Sequence, residues 1–168
     1  MKDGGNGTKR LALVASKGTL DQAYPALILA STAVAMGWEV GIFFTFYGLN
    51  ILHKDRMEHL QVAPLGNPAM PPPIAALPGL KVPNFVGALP GMTAVATMMM
   101  QGMMDKAKMP SIKELLDVCI EGDVQLYACG TTMGVMHIEQ SDLIPAAKCA
   151  GATTFLSYAA DADVSMFI

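Results

Sequence analysis

The chain alternates between short apolar runs and longer segments whose apolar residues follow helical spacing. Residues 10–16, 38–46 and 124–129 form runs that are rich in strand-forming residues and contain few polar positions. Such runs are typical of strands buried on both faces of a parallel sheet. A helical segment over about 20–36, ended by Gly37, joins the first two runs, so these strands should pair in parallel with a right-handed crossover. The pattern therefore predicts an α/β fold.

A second helix has clear start and stop signals. Ser111 and Glu114 form a capping box after Pro110, and Gly122 is the expected stop. The apolar residues between them repeat at the i, i+3, i+4, i+7, i+8 positions of one helix face, namely Ile112, Leu115, Leu116, Cys119 and Ile120. Cys119 is therefore expected on the core side of this helix.

Four further elements have weaker patterns. We expect a short helix over 49–57, a helix over 141–149 that Ser141 caps, a strand over 153–158, and a terminal strand over 164–168 at a sheet edge. The first helix is nearly as apolar on its outer side as on its inner side, which predicts burial on more than one side.

Composition indicates one domain that contacts another chain. Residues 1–9 read as a disordered lead-in and 10–168 as a single domain, with a Pro/Met-rich insert over about 61–109. Only 15% of residues are charged, against about 25% in typical soluble domains, so we expect a homo-oligomer. A net charge of -3 without a basic cluster argues against nucleic acid. The chain opens without a signal peptide, which predicts a reducing cytoplasm and free thiols.

The insert combines a Pro/Gly-rich loop over 61–90 with six methionines between 92 and 104. A short strand over 81–86 is one reading of the loop. Because Met is pliant and occurs on all sides of the predicted helix, we favour a contact with another subunit of an oligomer or with another partner. The alternatives are a core helix, a soft-metal site and membrane association; Pro and Gly residues make a spanning helix the less favoured reading.

The candidate reactive group is Cys129, which ends the apolar run at 124–129 and precedes Gly130, Thr131 and Thr132. Ligands bind at the carboxyl ends of strands in open α/β sheets. A thiol there lies over the free N–H groups of the next helix, which favour thiolate, the nucleophilic form. The alternative is a Cys that packs as a small hydrophobe.

Other polar residues are weaker candidates. Lys17 and Thr19 follow the first strand and could face the same crevice, although Lys17 reads equally well as a solvated loop charge. His53 and His59 are expected to be solvated, since no residue is spaced to join them as ligands. We expect neither a metal site nor a cofactor.

The other two cysteines are not expected to pair with Cys129. Cys119 ends a helix that leads into the start of the Cys129 strand, about 16 Å from its far end at about 3.3 Å per residue. A disulfide needs Cα atoms within about 7 Å. Cys149 is predicted late in a helix that leads into a strand, so it too is expected at the opposite edge.

These residues carry a family resemblance. The segments 11–18, 33–47 and 122–133 are similar to the DsrE/DsrF-like family of small sulfur-transfer proteins, which includes members labelled peroxiredoxin-like. The match is most specific where a strand ends in Cys129 and is followed by Thr132 and Met133, in the pattern Cys, two residues, Ser/Thr, Met. Thr132 stands where many members have Ser and keeps the hydroxyl.

The resemblance implies a fold and a function. The fold would be a three-layer α/β/α sandwich of flavodoxin-like type with a mainly parallel sheet, in an oligomer. The function would be that of a sulfur carrier or sulfurtransferase, with a persulfide on Cys129 and a small sulfur-carrier or thiol protein as acceptor. From their own positions at the strand ends and the helix start, rather than from the resemblance, the residues expected to bind the substrate are Gly130, Thr131, Thr132, Met133, Lys17 and Thr19. The competing hypothesis is a non-catalytic assembly module in which Cys129 is structural.

Overall fold

The computed structural model describes residues 7–63 and 89–168, which fall into two compact units. The described part of the first unit contains residues 7–18, 22–60 and 110–168, and that of the second contains 19–21, 61–63 and 89–109. The predicted strand at 81–86 and most of the predicted lead-in and Pro-rich loop lie outside the described residues. The division of the chain into a lead-in and one domain with an insert stays a prediction.

The first unit is built on a parallel sheet. Its strands are β1 Arg10–Ala15, β2 Glu39–Phe44, β3 Gln125–Cys129, β4 Ala147–Ala150 and β5 Val164–Phe167. They lie in the order β4-β3-β2-β1-β5, and each neighbouring pair is parallel. The predicted α/β class and parallel sheet are confirmed, as is the edge position of the terminal strand.

Helices of the first unit cover the sheet. Going from β1 to β4 along the chain, each strand is added on the same side of the one before it. Right-handed crossovers therefore place the connections between these strands on one face of the sheet. The return from β4 to β5 runs in the opposite direction and places its helix on the other face. The sheet is therefore the middle of three layers. The described helices are α1 Leu20–Ala35, α2 Met92–Lys106, α3 Ile112–Glu121, α4 Gly130–Met136 and α5 Ala152–Ala160, of which α2 belongs to the second unit.

Helix α5 packs on the sheet face that carries Cys129. Phe155 of this helix forms a buried cluster with Phe43 of β2 and Cys129 of β3. The Phe43 and Phe155 rings stack with centroids 5.0 Å apart. Tyr158 lies so close to Gly41 that a Cβ atom on that glycine would be 2.5 Å from the Tyr158 ring. The absence of a side chain at Gly41 therefore lets the helix approach the sheet.

Helix α3 forms as the sequence predicts. The Ser111 hydroxyl accepts a hydrogen bond from the Glu114 N–H at 3.2 Å, and the Glu114 carboxylate accepts one from the Ser111 N–H at 2.7 Å. Gly122 is the C-cap, and Cys119 is fully buried. The capping box, the stop and the core position of Cys119 are confirmed.

Two predictions near the end of the chain are wrong. The residues predicted as a strand over 153–158 belong to helix α5, and the residues predicted as a helix over 141–149 form a 3₁₀ turn, Gln140–Asp142, followed by β4. In α5 the aromatic residues Phe155 and Tyr158 are three positions apart and pack on one helix face. In β4 the alanines favour helix intrinsically, but pairing with β3 outweighs that preference.

The helix predicted over 49–57 is replaced by two 3₁₀ helices, Phe46–Ile51 and Met57–His59. The prediction that His53, which lies between them, is solvated is also wrong. His53 is 7% exposed and forms an antiparallel bridge with Leu143. Its Nδ1 accepts a hydrogen bond from the Asp55 N–H at 3.2 Å. Burial lowers the pKa of His53, and the nearby charge of Arg56 lowers it further.

Helix α1 buries part of its apolar surface within one chain. Ala26 and Leu27 are fully buried, but Ile28 and Leu29 are 39% and 38% exposed. Burial of the exposed side by another chain stays a prediction.

The second unit contains the methionine-rich helix. Thr97 of α2 accepts a hydrogen bond from the Val62 N–H at 3.0 Å and donates one to the Thr93 carbonyl at 2.8 Å. Met98 is 72% exposed and Met103 is 42% exposed. None of the helices in the described residues is long and apolar enough to cross a membrane.

The loop after β2 depends on Gly48. A Cβ atom there would lie 2.1 Å from the Ala15 carbonyl oxygen, a backbone atom at the end of β1. Replacing Gly48 with alanine should therefore lower the free energy of unfolding by about 1–3 kcal/mol. Urea denaturation of the purified variant measures this change.

The matched control is Gly134→Ala in α4, where the added methyl group would meet nothing within 4 Å. This change should leave stability unaltered or raise it by up to about 1 kcal/mol, because alanine favours helix. Equal losses for the two variants would contradict the steric argument.

Candidate functional site

The site is built where β3 ends and α4 begins. Cys129 is the last residue of β3 and the N-cap of α4, with φ -65° and ψ 109°. Its side chain is 7% exposed. In the neighbouring strand, Phe44 pairs with Ala128, so Thr45 follows β2 at the level of Cys129. Two strand ends therefore meet at this sulfur.

Hydrogen-bond donors surround the Cys129 sulfur. They are the hydroxyl and N–H of Thr132, the hydroxyl of Thr45 and the N–H of Thr131. Burial raises the pKa of Cys129, but these hydrogen bonds together outweigh burial, and the pKa is lowered from its ordinary value. Hydrogen bonds to the charged form stabilise that form. The site therefore favours a thiolate at the strand end.

The other side of the sulfur is apolar. Cys129 packs in a buried cluster with Ala12, Phe43 and Phe155. Such surroundings exclude water and strengthen the hydrogen bonds on the polar side. The sulfur thus lies between an aromatic wall and a set of hydroxyl and amide donors.

Thr45 is a site residue that was not predicted from the sequence. Its Oγ1 lies 3.0 Å from the Thr132 Oγ1, which also accepts a hydrogen bond from the Phe46 N–H at 3.3 Å. The sequence shows only a polar residue directly after the apolar run of β2. That residue can be assigned to the site once the strand order is known, because β2 lies beside β3.

The residues after Cys129 have different exposures. Gly130 is the first residue of α4 and is half-buried, whereas the Thr131 side chain is exposed. Thr132 and Met133 are both buried, at 5% and 7% exposed. The backbone of Thr131 and both donors of Thr132 contact the sulfur. Substrate binding by these four residues stays a prediction.

The two predicted residues after β1 are less closely tied to the site. Lys17 is exposed, and its Nζ lies 3.5 Å from the Gln22 Oε1. Thr19 is half-buried immediately before α1 and belongs to the second unit. A role for either residue in substrate binding also stays a prediction.

Cys149 does not lie at its predicted position. It lies on β4 rather than in a helix, and it pairs with Ala128, so it is at the same edge of the sheet as Cys129. The expected position at the opposite edge is wrong because the helix predicted over 141–149 does not form. Since Cys129 pairs with Ala150, the two thiols point to opposite faces of the sheet.

Cys119 is in a third environment. It is fully buried in α3, and burial raises its pKa to about 11. Its carbonyl accepts a hydrogen bond from the Val124 N–H at 2.9 Å, just before β3 begins. Cys119 therefore lies near the start of the strand that Cys129 ends, as predicted, and its thiol stays protonated near neutral pH.

The thiolate at Cys129 can be measured by alkylation. Because the pKa of Cys129 is lowered, its reaction with iodoacetamide should persist to lower pH than expected for an ordinary thiol with a pKa of about 8.5. Mass spectrometry of the peptides gives the rate at each cysteine over a range of pH.

The chain supplies its own controls for this experiment. Cys149 is an exposed thiol that reports on reagent activity, and Cys119 should stay unmodified in the native protein because it is buried. A half-titration pH for Cys129 at or above about 8.5 would contradict the stabilised thiolate.

Comparisons with known proteins cover nearly the whole chain. The family model described as DsrE/DsrF/DrsH-like matches residues 7–167. Over 160 residues the chain is 42% identical to the sulfur carrier protein DsrE2 of Allochromatium vinosum, covering 95% of this chain and 98% of that protein. It is 31% identical over 163 residues to the uncharacterized protein YrkE of Bacillus subtilis, covering 96% and 98%.

A solved structure shows the same fold. The ychN protein from E. coli superposes with a TM-score of 0.54, covering 96% of this chain and 100% of that chain. At 10% identity this likeness concerns the fold alone. The match of the family model over nearly the whole chain decides the family. The chain belongs to the DsrE/DsrF/DrsH-like family.

Proposed function

We propose that this protein is a sulfur carrier that holds sulfane sulfur as a persulfide on Cys129 and passes it to an acceptor thiol. The observation that carries the proposal is the Cys129 sulfur at the end of β3, hydrogen-bonded by Thr45, Thr131 and Thr132 so that its anionic form is favoured. The similarity to a protein named as a sulfur carrier supports the same reading.

Loading is a nucleophilic substitution at sulfur. With thiosulfate as donor, the Cys129 thiolate attacks the outer sulfur atom, and the bond between the two thiosulfate sulfurs breaks. Its electron pair leaves with sulfite, and Cys129 carries a persulfide anion. The step needs no oxidant, because the transferred sulfur is already at the sulfane level. The hydrogen bonds that favour the thiolate also suit the anionic product.

Transfer is the same chemistry in reverse. An acceptor thiolate attacks the outer sulfur of the protonated persulfide, the acceptor becomes the persulfide, and the Cys129 thiolate leaves. A leaving thiol departs faster when its pKa is low, so the donors that favour anionic Cys129 assist this step as well. We propose a small sulfur-carrier or thiol protein as the acceptor.

Sulfur uptake should be confined to Cys129. Incubation of the reduced protein with thiosulfate or polysulfide should add the mass of one sulfur atom, located at Cys129 by peptide mass spectrometry. Cys129→Ser should abolish the gain, because serine offers no thiolate.

Cys119→Ser and Cys149→Ser are the matched controls and should keep the gain in mass. A persulfide found on Cys119 alone would refute the mechanism. A wild-type protein whose Cys129 neither alkylates nor takes up sulfur would instead favour the assembly module, in which this cysteine is structural.

We also propose that the protein forms a homo-oligomer. Large apolar side chains are exposed in each unit, among them Ile28 and Phe167 in the first and Met98 and Met103 in the second. Exposed apolar patches larger than a few hundred Å² are uncommon on monomers. The wild-type protein should therefore have a solution mass above the 17.7 kDa of one chain in light scattering.

Charges on the methionine-rich helix test its part in this assembly. The double change Met98→Lys and Met103→Lys should shift the protein to smaller species, because each lysine would have to be buried in the contact. Gln101→Lys adds charge at an exposed polar position of the same helix and should leave the assembly intact. A wild-type monomer in buffer without detergent would contradict the oligomer.

A further inference from the structure

The end of β2 supplies a second hydroxyl to the site. Thr45 is extended, with φ -133° and ψ 160°, and it is the N-cap of the 3₁₀ helix Phe46–Ile51. Its Oγ1 is 3.0 Å from the Thr132 Oγ1, and it also hydrogen-bonds the Cys129 sulfur. Three groups from two strand ends and one helix are therefore mutually hydrogen-bonded.

The backbone after Thr45 is held in an unusual conformation. Phe46 has φ 47°, in the left-handed region that bulky residues rarely occupy. This turn directs the Phe46 N–H to the Thr132 Oγ1. The loop is fixed by hydrogen bonds from the Thr45 N–H to the Ala15 carbonyl at 3.0 Å and from the Gly48 N–H to the Thr45 carbonyl at 2.9 Å. Strained residues of this kind persist where the surrounding structure holds them, often at functional sites.

The proton count ties the two hydroxyls together. A threonine hydroxyl has one proton to donate and two lone pairs to accept with. Thr132 accepts from the Phe46 N–H, and either threonine can be the donor in the bond between the two hydroxyls. Whichever threonine accepts in that bond keeps its own proton for the Cys129 sulfur, to which both hydroxyls are hydrogen-bonded. The pair therefore directs a proton to the sulfur, which acts as acceptor.

We propose that Thr45 is a catalytic residue that acts as a pair with Thr132, holding the negative charge on Cys129 both when this sulfur attacks a donor and when it leaves. This proposal rests on the proposed sulfur-carrier function. Because sulfur is the leaving atom in the transfer step and the attacking atom in the loading step, one hydroxyl pair serves both directions.

The test uses Thr45→Val, which keeps the branched shape that suits the extended backbone and removes the hydroxyl. Alkylation of Cys129 over a range of pH should show a half-titration about one pH unit higher than in the wild type, equal to about a tenfold loss of thiolate well below the midpoint. The limiting rate at high pH should not fall below that of the wild type, because the hydroxyl is not needed once the thiol is fully ionised and a thiolate of higher pKa is the stronger nucleophile.

Two variants separate the hydroxyl from the shape of the side chain. Thr45→Ser restores a donor and should return the midpoint to the wild-type value. Thr32→Val removes a hydroxyl from an exposed position on α1 and should not move it. A Thr45→Val midpoint equal to the wild type, or a Thr45→Ser midpoint equal to that of Thr45→Val, would overturn the proposal.

The pairing itself is tested by a double-mutant cycle with Thr132→Val. Because the two hydroxyls hydrogen-bond each other, the shifts of the two single variants should not add in the double variant. Shifts that add would overturn the pairing.

Sulfur loading from thiosulfate provides the second readout. At a pH well below both alkylation midpoints the Thr45→Val protein should load more slowly, by up to about tenfold, and the deficit should disappear at high pH. A wild-type protein that takes up no sulfur would refute the proposed function, whereas the alkylation midpoints would still decide whether Thr45 stabilises the thiolate.

Discussion

Parallel pairing of β2 with β3 is the constraint on which the site depends. The register aligns Phe44 with Ala128, so both strands end at the same level and their next residues meet. A slip of one position would turn the Cys129 side chain to the other face of the sheet and away from Phe155. The same pairing brings Thr45 within hydrogen-bond reach of Thr132. The position of the sulfur therefore depends on backbone hydrogen bonds, and its pKa depends on the side chains that this pairing brings together.

Opposing effects act on the Cys129 sulfur, and both bear on the proposed carrier function. Phe43 and Phe155 bury it, and burial raises its pKa, while Thr45, Thr131 and Thr132 lower it by hydrogen bonding. A carrier needs both behaviours, because its sulfur must attack a donor and later leave from the persulfide. Nucleophilicity falls as the pKa of a thiol falls, whereas leaving ability rises. A site that lowered the pKa of Cys129 much further would help this sulfur to leave the persulfide but would weaken its attack on the donor.

Local signals in the sequence predicted the parts of the site that are local. The apolar run before Cys129 and the Gly-Thr-Thr that follows it are sufficient to place this residue between a strand and a helix. Thr45 could not be predicted in the same way, because its contact with Thr132 depends on the order of strands in the sheet. Cys149 was misplaced because its alanine-rich surroundings favour helix, while the pairing that holds β4 is a tertiary interaction.

The three thiols of the chain are alike in chemistry and differ in surroundings. Cys119 is buried with a pKa of about 11, so it cannot act as a thiolate near neutral pH. Cys149 is exposed at the same edge of the sheet as Cys129. Its side chain, however, lies on the opposite face of the sheet, against Gly130. Neither arrangement lets an internal thiol attack a persulfide on Cys129 without a change in the backbone. If Cys129 carries sulfane sulfur as proposed, the thiol that accepts it must therefore come from another molecule.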